Sequence, residues 1–165
     1  NKELKRMWAN KLGLDQYEET LINEFFNLMF TSKSDYTIIF RRLSDLPDSL
    51  VSLKDSFYIP INEELTHRWE KWLKNWNQTI KKEGNIKSKS KLMKSLNPKY
   101  TWREWLVVPA YEEAEKGNYN KIKELQTVFS NPYEEQTSEI NQKYNQRMPR
   151  QYFNCGGVSH YSCSA

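Results

Sequence analysis

"LTHRWEKWLKNWNQTI", residues 65–80, contains the strongest periodic pattern in this chain of 165 residues. Its large apolar side chains recur at the spacing that places them along one stripe of a helix: Leu65, Trp69, Trp72, Leu73, Trp76 and Ile80. A stripe this wide and bulky has to be covered by other apolar elements. We therefore predict a helix over residues 62–82 whose aromatic face packs in the core, and we assign the tryptophans to packing rather than to stacking on a nucleotide.

Two segments before this helix are also predicted to be helical. In "DQYEETLINEFFNLMF", residues 15–30, Asp15 begins a capping box and apolar residues follow at helical spacing. In "SDYTIIFRRLSDL", residues 34–46, either Ser34 or Asp35 is suited to cap the next helix. Both segments carry an apolar stripe of the kind that the tryptophans need as a partner.

Two further helices are predicted in the second half of the chain. In "TWREWLVVPAYEEAEKG", residues 101–117, Thr101 begins a capping box, Pro109 should kink or interrupt the helix, and Gly117 is suited to end it. The segment 118–129 follows as another helix. Its inward-facing residues are expected to be Tyr119, Ile122, Leu125 and Phe129.

A polar break lies between the tryptophan helix and these later helices. Residues 84–90 lack apolar periodicity, and "NPKY", residues 97–100, is a second break because a residue before proline avoids the helical region. The surrounding stretch 81–94 holds the one concentration of basic residues, which we interpret as a charged loop between helices. It has no aromatic side chain for base stacking, so we do not expect nucleic-acid binding.

The composition excludes several classes of protein. The net charge is only +4, and acidic and basic residues alternate as on a solvated helical surface. No apolar run approaches the roughly 20 residues that span a bilayer, so we predict no membrane span. Two cysteines and two histidines are too few for a zinc site or a disulfide framework, and we predict no metal site in this chain.

Four stretches, in this order, carry a resemblance to a known family. They are "MWANKLGL" at residues 7–14, "LMFTSKSDYTIIFRRLS" at 28–44, the long block 96–136 that begins "LNPKYTWREW", and the closing "CSA". Together they resemble the protein adenylyltransferases of the selenoprotein O type. The most specific piece is the asparagine-proline-lysine-tyrosine block with Arg103 three residues after its tyrosine.

The resemblance implies a mainly α segment, formed by the end of a protein-kinase-like C-lobe and a C-terminal helical extension. Enzymes of this pseudokinase family transfer AMP from ATP, with magnesium, to Ser, Thr or Tyr hydroxyls of protein substrates. The ATP, the metal and the catalytic residues would lie upstream, in a kinase-like domain that would be the segment's partner, and we predict no catalytic residue here. The implied divisions are 1–45 for the C-lobe end, 46–96 for a helical segment with a basic loop, 97–148 for the extension and 149–165 for an irregular redox tail.

The tail cysteine is the one site residue that the resemblance implies within this chain. Cys163 matches the family's redox-active terminal cysteine, which can pair with a cysteine near the active site. Cys155 is an alternative partner or site, since Gly156 and Gly157 would permit the turn between the two cysteines. The family further implies a mitochondrial location in eukaryotes and a cytoplasmic one in bacteria. The alternative function is a non-catalytic structural or interaction module, or an assembly subunit, derived from that family.

Overall fold

In a computed structural model of the chain, the structure describes residues 2–153, and this part is mainly helical, as predicted. The only β contact in that range is an isolated antiparallel bridge between Ser34 and Phe57. The α-helices are α1 Lys2–Lys11, α2 Glu19–Thr31, α3 Tyr36–Leu43, α4 Glu63–Glu83, α5 Ile86–Leu96, α6 Glu104–Glu115, α7 Asn120–Ser130 and α8 Ser138–Tyr144, with 3₁₀ helices at Leu50–Ser56 and Arg150–Tyr152.

The chain divides into two compact units, Asn1–Lys99 and Tyr100–Ala165, each with its own apolar core. The sequence predicted four segments, with boundaries at residues 45, 96 and 148, and this finer division stays a prediction. No helix in the described range is long and apolar enough to cross a membrane.

The tryptophan stripe of α4 forms the centre of the first unit. All six predicted residues are buried, and Trp69 and Trp76 are completely inaccessible to solvent. Trp72 stacks on Trp76 with ring centroids 5.7 Å apart, and Phe25 of α2 stacks on Trp72 at 4.9 Å. Two indole N–H groups donate to backbone carbonyls, Trp76 to Leu12 and Trp72 to Leu21, so the rings also fix the neighbouring segments.

One of the three predicted N-terminal caps is confirmed. Asp35 caps α3 and accepts a hydrogen bond from the Ile38 N–H at 3.0 Å. The Asp15 cap is wrong, because α2 begins only after Glu18, and the Asp15 carboxylate instead accepts from the Lys89 ammonium. The Thr101 cap is also wrong, because α6 begins after Arg103 and has no side-chain cap.

The predicted polar loop over residues 84–90 is wrong, because α5 occupies most of it. The true break is only Gly84 and Asn85, and the Asn85 side chain caps α5 by accepting from the Ser88 N–H. The helix is stable there because Met93 packs in the core beside Gly13. A Cβ at Gly13, whose φ is +70°, would lie 2.7 Å from the Met93 sulfur, so glycine both adopts this backbone conformation and lets the Met93 side chain pack against it.

The second unit is built from α6, α7 and α8. We predicted that Pro109 kinks or interrupts this helix; α6 continues through Pro109, so the interruption is wrong and the kink stays a prediction. Gly117, with φ of +81°, ends it as predicted, in a Schellman motif in which Asn118 N–H donates to Glu113 C=O. On α7, Leu125 is buried as predicted, but Tyr119 is 55% exposed because it lies before the first turn. Val128, which was not predicted to face inward, is also buried.

Candidate functional site

The asparagine of the "NPKY" block lies where three helices of the first unit end. Asn97 is completely buried, and its amide Nδ2 donates to the Lys11 carbonyl at the end of α1, at 2.8 Å. The same amide donates to the hydroxyl of Ser44, the C-cap of α3, at 3.1 Å. Asn97 is itself the C-cap of α5. One side chain thus donates to the last carbonyl of α1, which has no helical donor, and to the hydroxyl of the residue that caps α3.

Two cationic side chains of this three-helix junction, from α1 and α3, donate in return to carbonyls at the end of α5. The Arg41 guanidinium of α3 donates to the carbonyls of Lys94 and Asn97, both at 3.1 Å. The Lys11 ammonium of α1 donates to the Leu96 carbonyl at 3.3 Å, and burial lowers the pKa of this amine. Positive charge at the C-terminus of a helix opposes the negative end of its dipole. The junction is therefore a site of mutual capping, which holds helices in place.

Replacing Asn97 by alanine should lower the free energy of unfolding by about 2 kcal/mol, because the part-buried Lys11 carbonyl and the buried Ser44 hydroxyl lose this donor. Urea denaturation followed by circular dichroism measures this loss. Asn75→Ala, at an exposed position of α4, is the matched control and should change stability by less than about 0.5 kcal/mol. Equal effects of the two substitutions would show that the junction contributes nothing specific.

A second polar cluster of the first unit surrounds Lys89 of α5. The Lys89 side chain is only 9% exposed, and its ammonium contacts the Glu83 carboxylate at 2.6 Å, the Asp15 carboxylate at 2.8 Å and the Gly13 carbonyl at 2.9 Å. Burial lowers the pKa of this amine, but the hydrogen bonds and charges of the two carboxylates outweigh burial and raise the pKa overall. The ammonium is fully occupied by the protein's own oxygens, so the cluster holds α5 in place.

The second unit has a small cavity of about 190 Å³ between its helices. It is lined by Trp105, Leu106, Pro109, Lys121, Leu125, Lys143, Tyr144, Gln146 and Tyr152. Each lysine is paired with a carboxylate: Lys143 with Glu124 at 2.6 Å and Lys121 with Glu113 at 2.7 Å. The hydrogen bond from Lys143 lowers the pKa of Glu124, and burial raises the pKa of Tyr144. The carboxylates balance the positive charge that a phosphate ligand would require.

The residues predicted to carry chemistry in this chain are not among those described. Cys163 and its alternative Cys155 both lie outside residues 2–153. His67 is exposed on α4. Within the described range, no group of three or more His, Cys, Asp or Glu side chains is arranged to hold a metal ion.

Arg41 and Lys89 join different helices of the first unit through their hydrogen bonds, and neither role was predicted from the sequence. The sequence assigned no role to Arg41, and it placed Lys89 in a charged loop. A signal for Lys89 existed, since Ile86, Lys89 and Met93 fall at helical spacing. For Arg41 no local signal distinguishes it from Arg42, which pairs with Asp55 at the surface.

Comparisons with known proteins extend this description. The family model described as "Protein adenylyltransferase SelO" matches residues 1–130. A protein nucleotidyltransferase YdiU from Tolumonas auensis is 34% identical over 99% of this chain and 33% of its own length. The YdiU of Aromatoleum aromaticum is 30% identical over 100% of this chain and 33% of its own length. That of Photobacterium profundum is 35% identical over 76% of this chain and 27% of its own length.

These relatives are bacterial proteins, and the chain spans about a third of the length of those it matches most fully. The match includes both the three-helix junction and the Lys89 cluster, since both lie within residues 1–130.

Proposed function

The chain belongs to the protein adenylyltransferase SelO family, and from this membership we propose that its parent protein transfers AMP from ATP to Ser, Thr or Tyr hydroxyls of protein substrates. In this reaction the hydroxyl oxygen bonds to the α-phosphorus, its proton is released, and pyrophosphate leaves. Magnesium would neutralise the phosphate charges. The observation that carries the proposal is the family match over residues 1–130, supported by relatives that are named nucleotidyltransferases.

Within that enzyme, we assign this chain a supporting rather than a catalytic role. It would form the end of a kinase-like C-lobe and the helical extension that follows, with ATP and magnesium bound by the upstream kinase-like domain. Two features of the first unit support this role: the mutual capping around Asn97 and the saturated ammonium of Lys89. Both use their polar groups to hold helices together. By the same family inference, the protein would be cytoplasmic in a bacterium and mitochondrial in a eukaryote.

Transfer of a label from ATP tests the proposed activity directly. The full-length parent, incubated with magnesium and a protein mixture, should move radioactivity from α-labelled ATP onto protein and leave γ-labelled ATP without incorporation. The 165-residue chain alone is the control and should label nothing. Incorporation from γ-labelled ATP would instead identify a phosphate-transferring kinase, and no incorporation from either nucleotide would contradict nucleotide transfer.

We further propose that Cys163 is redox-active and forms a disulfide with a cysteine of the upstream domain. Oxidised full-length protein should lose two hydrogens per disulfide in an intact-mass measurement, and reductant should restore them. Cys163→Ser should abolish this change, whereas Cys155→Ser should preserve it. If Cys155→Ser abolishes it as well, Cys155 is the partner, and the bond lies within this chain.

The alternative is a non-catalytic interaction module or assembly subunit derived from the same family. Both polar clusters of the first unit hold helices together, which a module of this kind would also require. The intact mass of the protein from its natural source separates the two. A mass well above 19.8 kDa supports the enzyme, and a mass near 19.8 kDa supports the module.

A further inference from the structure

Aromatic side chains from three helices of the first unit meet at the edge of its core, where Trp8 and Phe26 are partly buried against the core and Tyr36 is exposed. Trp8 of α1 contacts Phe26 of α2 edge-to-face at 4.8 Å and Tyr36 of α3 at 6.4 Å. Leu4 and Phe30 extend this surface by one helical turn each, since they lie four residues from Trp8 and Phe26. We call these five residues the aromatic face.

Three of the five residues of the aromatic face are exposed. Phe30 is 86% exposed, Leu4 49% and Tyr36 46%. Single exposed apolar residues are common, but contiguous apolar patches on a protein surface mark sites of association. Covering an exposed phenylalanine side chain is favourable, because it removes apolar area from water. The face is also rigidly backed, because Trp8 stacks on the buried Phe40 with ring centroids 6.1 Å apart.

We propose that the aromatic face is the docking surface for the upstream two-thirds of the parent chain, an inference that rests on the proposed function for the identity of its occupant. The matched relatives are about three times as long as this chain, so they contain ample protein to cover it. The Lys89 ammonium is saturated by oxygens of the unit itself, whereas this face leaves large aromatic area uncovered. Buried aromatic anchors of this kind dominate the energy of interfaces.

The charges beside the face indicate the chemistry of the partner surface. The Lys11 ammonium lies 5.6 Å from the centre of the Tyr36 ring, and the exposed Lys33 follows Phe30 by three residues. On α1, Lys5 lies over the ring of Tyr17 at 4.9 Å. The occupant should therefore present an apolar centre with acidic residues at its edge, since complementary charge at a rim guides and orients association.

Amide hydrogen exchange, measured on the full-length parent and on the 165-residue chain alone, tests whether the aromatic face is covered in the parent. In the full-length parent, peptides covering residues 2–11 and 26–36 should exchange at least about tenfold more slowly than in the 165-residue chain. The reason is that an occupant excludes water from them. Phe30→Asp in the full-length protein should remove this protection. Because Phe30 is exposed in the chain alone, the substitution should leave the exchange of that shorter chain unchanged.

Val51→Asp is the matched control, since Val51 is 66% exposed on the Leu50–Ser56 helix and lies outside the aromatic face. It should preserve the protection. Equal exchange in the two contexts would overturn the proposal. So would a dimer of the 165-residue chain, seen by sedimentation, that Phe30→Asp dissociates, because the occupant would then be a second copy. Protection without AMP transfer would uphold docking while contradicting the proposed activity, so the two failures are distinguishable.

Discussion

Trp76→Ala should lower the free energy of unfolding of the first unit by about 4 kcal/mol, the largest effect expected for a single substitution in this chain. Trp76 is fully buried, stacks on Trp72, and donates its indole N–H to the Leu12 carbonyl at 2.9 Å. Alanine leaves a cavity beside Trp72 and an unpaired acceptor at the end of α1. Urea denaturation followed by far-ultraviolet circular dichroism measures the loss, and the unit should be partly unfolded without denaturant.

Two control variants show whether the loss of stability comes from removing a buried tryptophan or from removing any tryptophan. Trp102→Ala removes an indole that is 58% exposed in the second unit, and it should cost less than about 1 kcal/mol. Trp76→Phe keeps most of the buried volume but not the N–H, so its cost should fall between the two alanine variants. A cost for Trp76→Ala no larger than that of Trp102→Ala would contradict the central position of the α4 stripe.

The tryptophan helix could be predicted because its pattern is strong and its geometry is local. Apolar side chains at fixed helical spacing have one consistent interpretation, and burial confirmed all six. The Asp35 cap is predictable for a similar reason, since its hydrogen bond joins residues three apart. Helical stripes and caps can be predicted from the sequence because the residues that form them are only a few positions apart.

Features whose partners are distant could not be predicted in the same way. Asp15 is chemically suited to be a cap, but its carboxylate binds Lys89, 74 residues away. Helix α5 was predicted as a loop because a lysine occupies one of its buried positions, where a hydrophobic residue would have indicated a helix. The Asn97 junction joins residues up to 86 positions apart, and no local pattern encodes such a contact.

The candidate sites differ in the same respect. The family resemblance located the "NPKY" block from the sequence, but the role of Asn97 as a mutual cap of three helix ends required the structure. The aromatic face was also hidden, because Trp8, Phe26 and Tyr36 belong to three different helices. Phe30 lies next to the buried Met29, and the sequence does not show which of the two is exposed.

Replacing Lys89 by methionine should lower the free energy of unfolding by about 3 kcal/mol at neutral pH, because a buried carboxylate loses its counter-ion. Methionine has a similar volume, so the variant removes the charge and the hydrogen bonds with little change in packing. Glu83 is the carboxylate most affected, since its side chain is only 18% exposed, against 63% for Asp15. Urea denaturation at pH 7 measures the effect.

The effect of this substitution should also depend on pH, in a direction that the raised pKa of Lys89 fixes. Its folded pKa lies above the ordinary value of 10.5, so the charged amine is favoured by folding. The stability that it contributes is fully present below pH 10.5 and is lost as the pH rises through the folded pKa. The difference in unfolding free energy between wild type and Lys89→Met should therefore be constant at neutral pH and shrink in strongly alkaline solution.

Two further variants test whether the charge, rather than the position on the helix, is responsible. Lys87→Met, on the exposed face of the same helix, should change stability by less than about 0.5 kcal/mol. Adding Glu83→Gln to Lys89→Met should recover part of the lost stability, because the carboxylate left without its ammonium is then neutral. If the double variant is no more stable than Lys89→Met alone, the lysine acts through packing of its aliphatic chain, and the ion pair with Glu83 does not hold α5 against the end of α4.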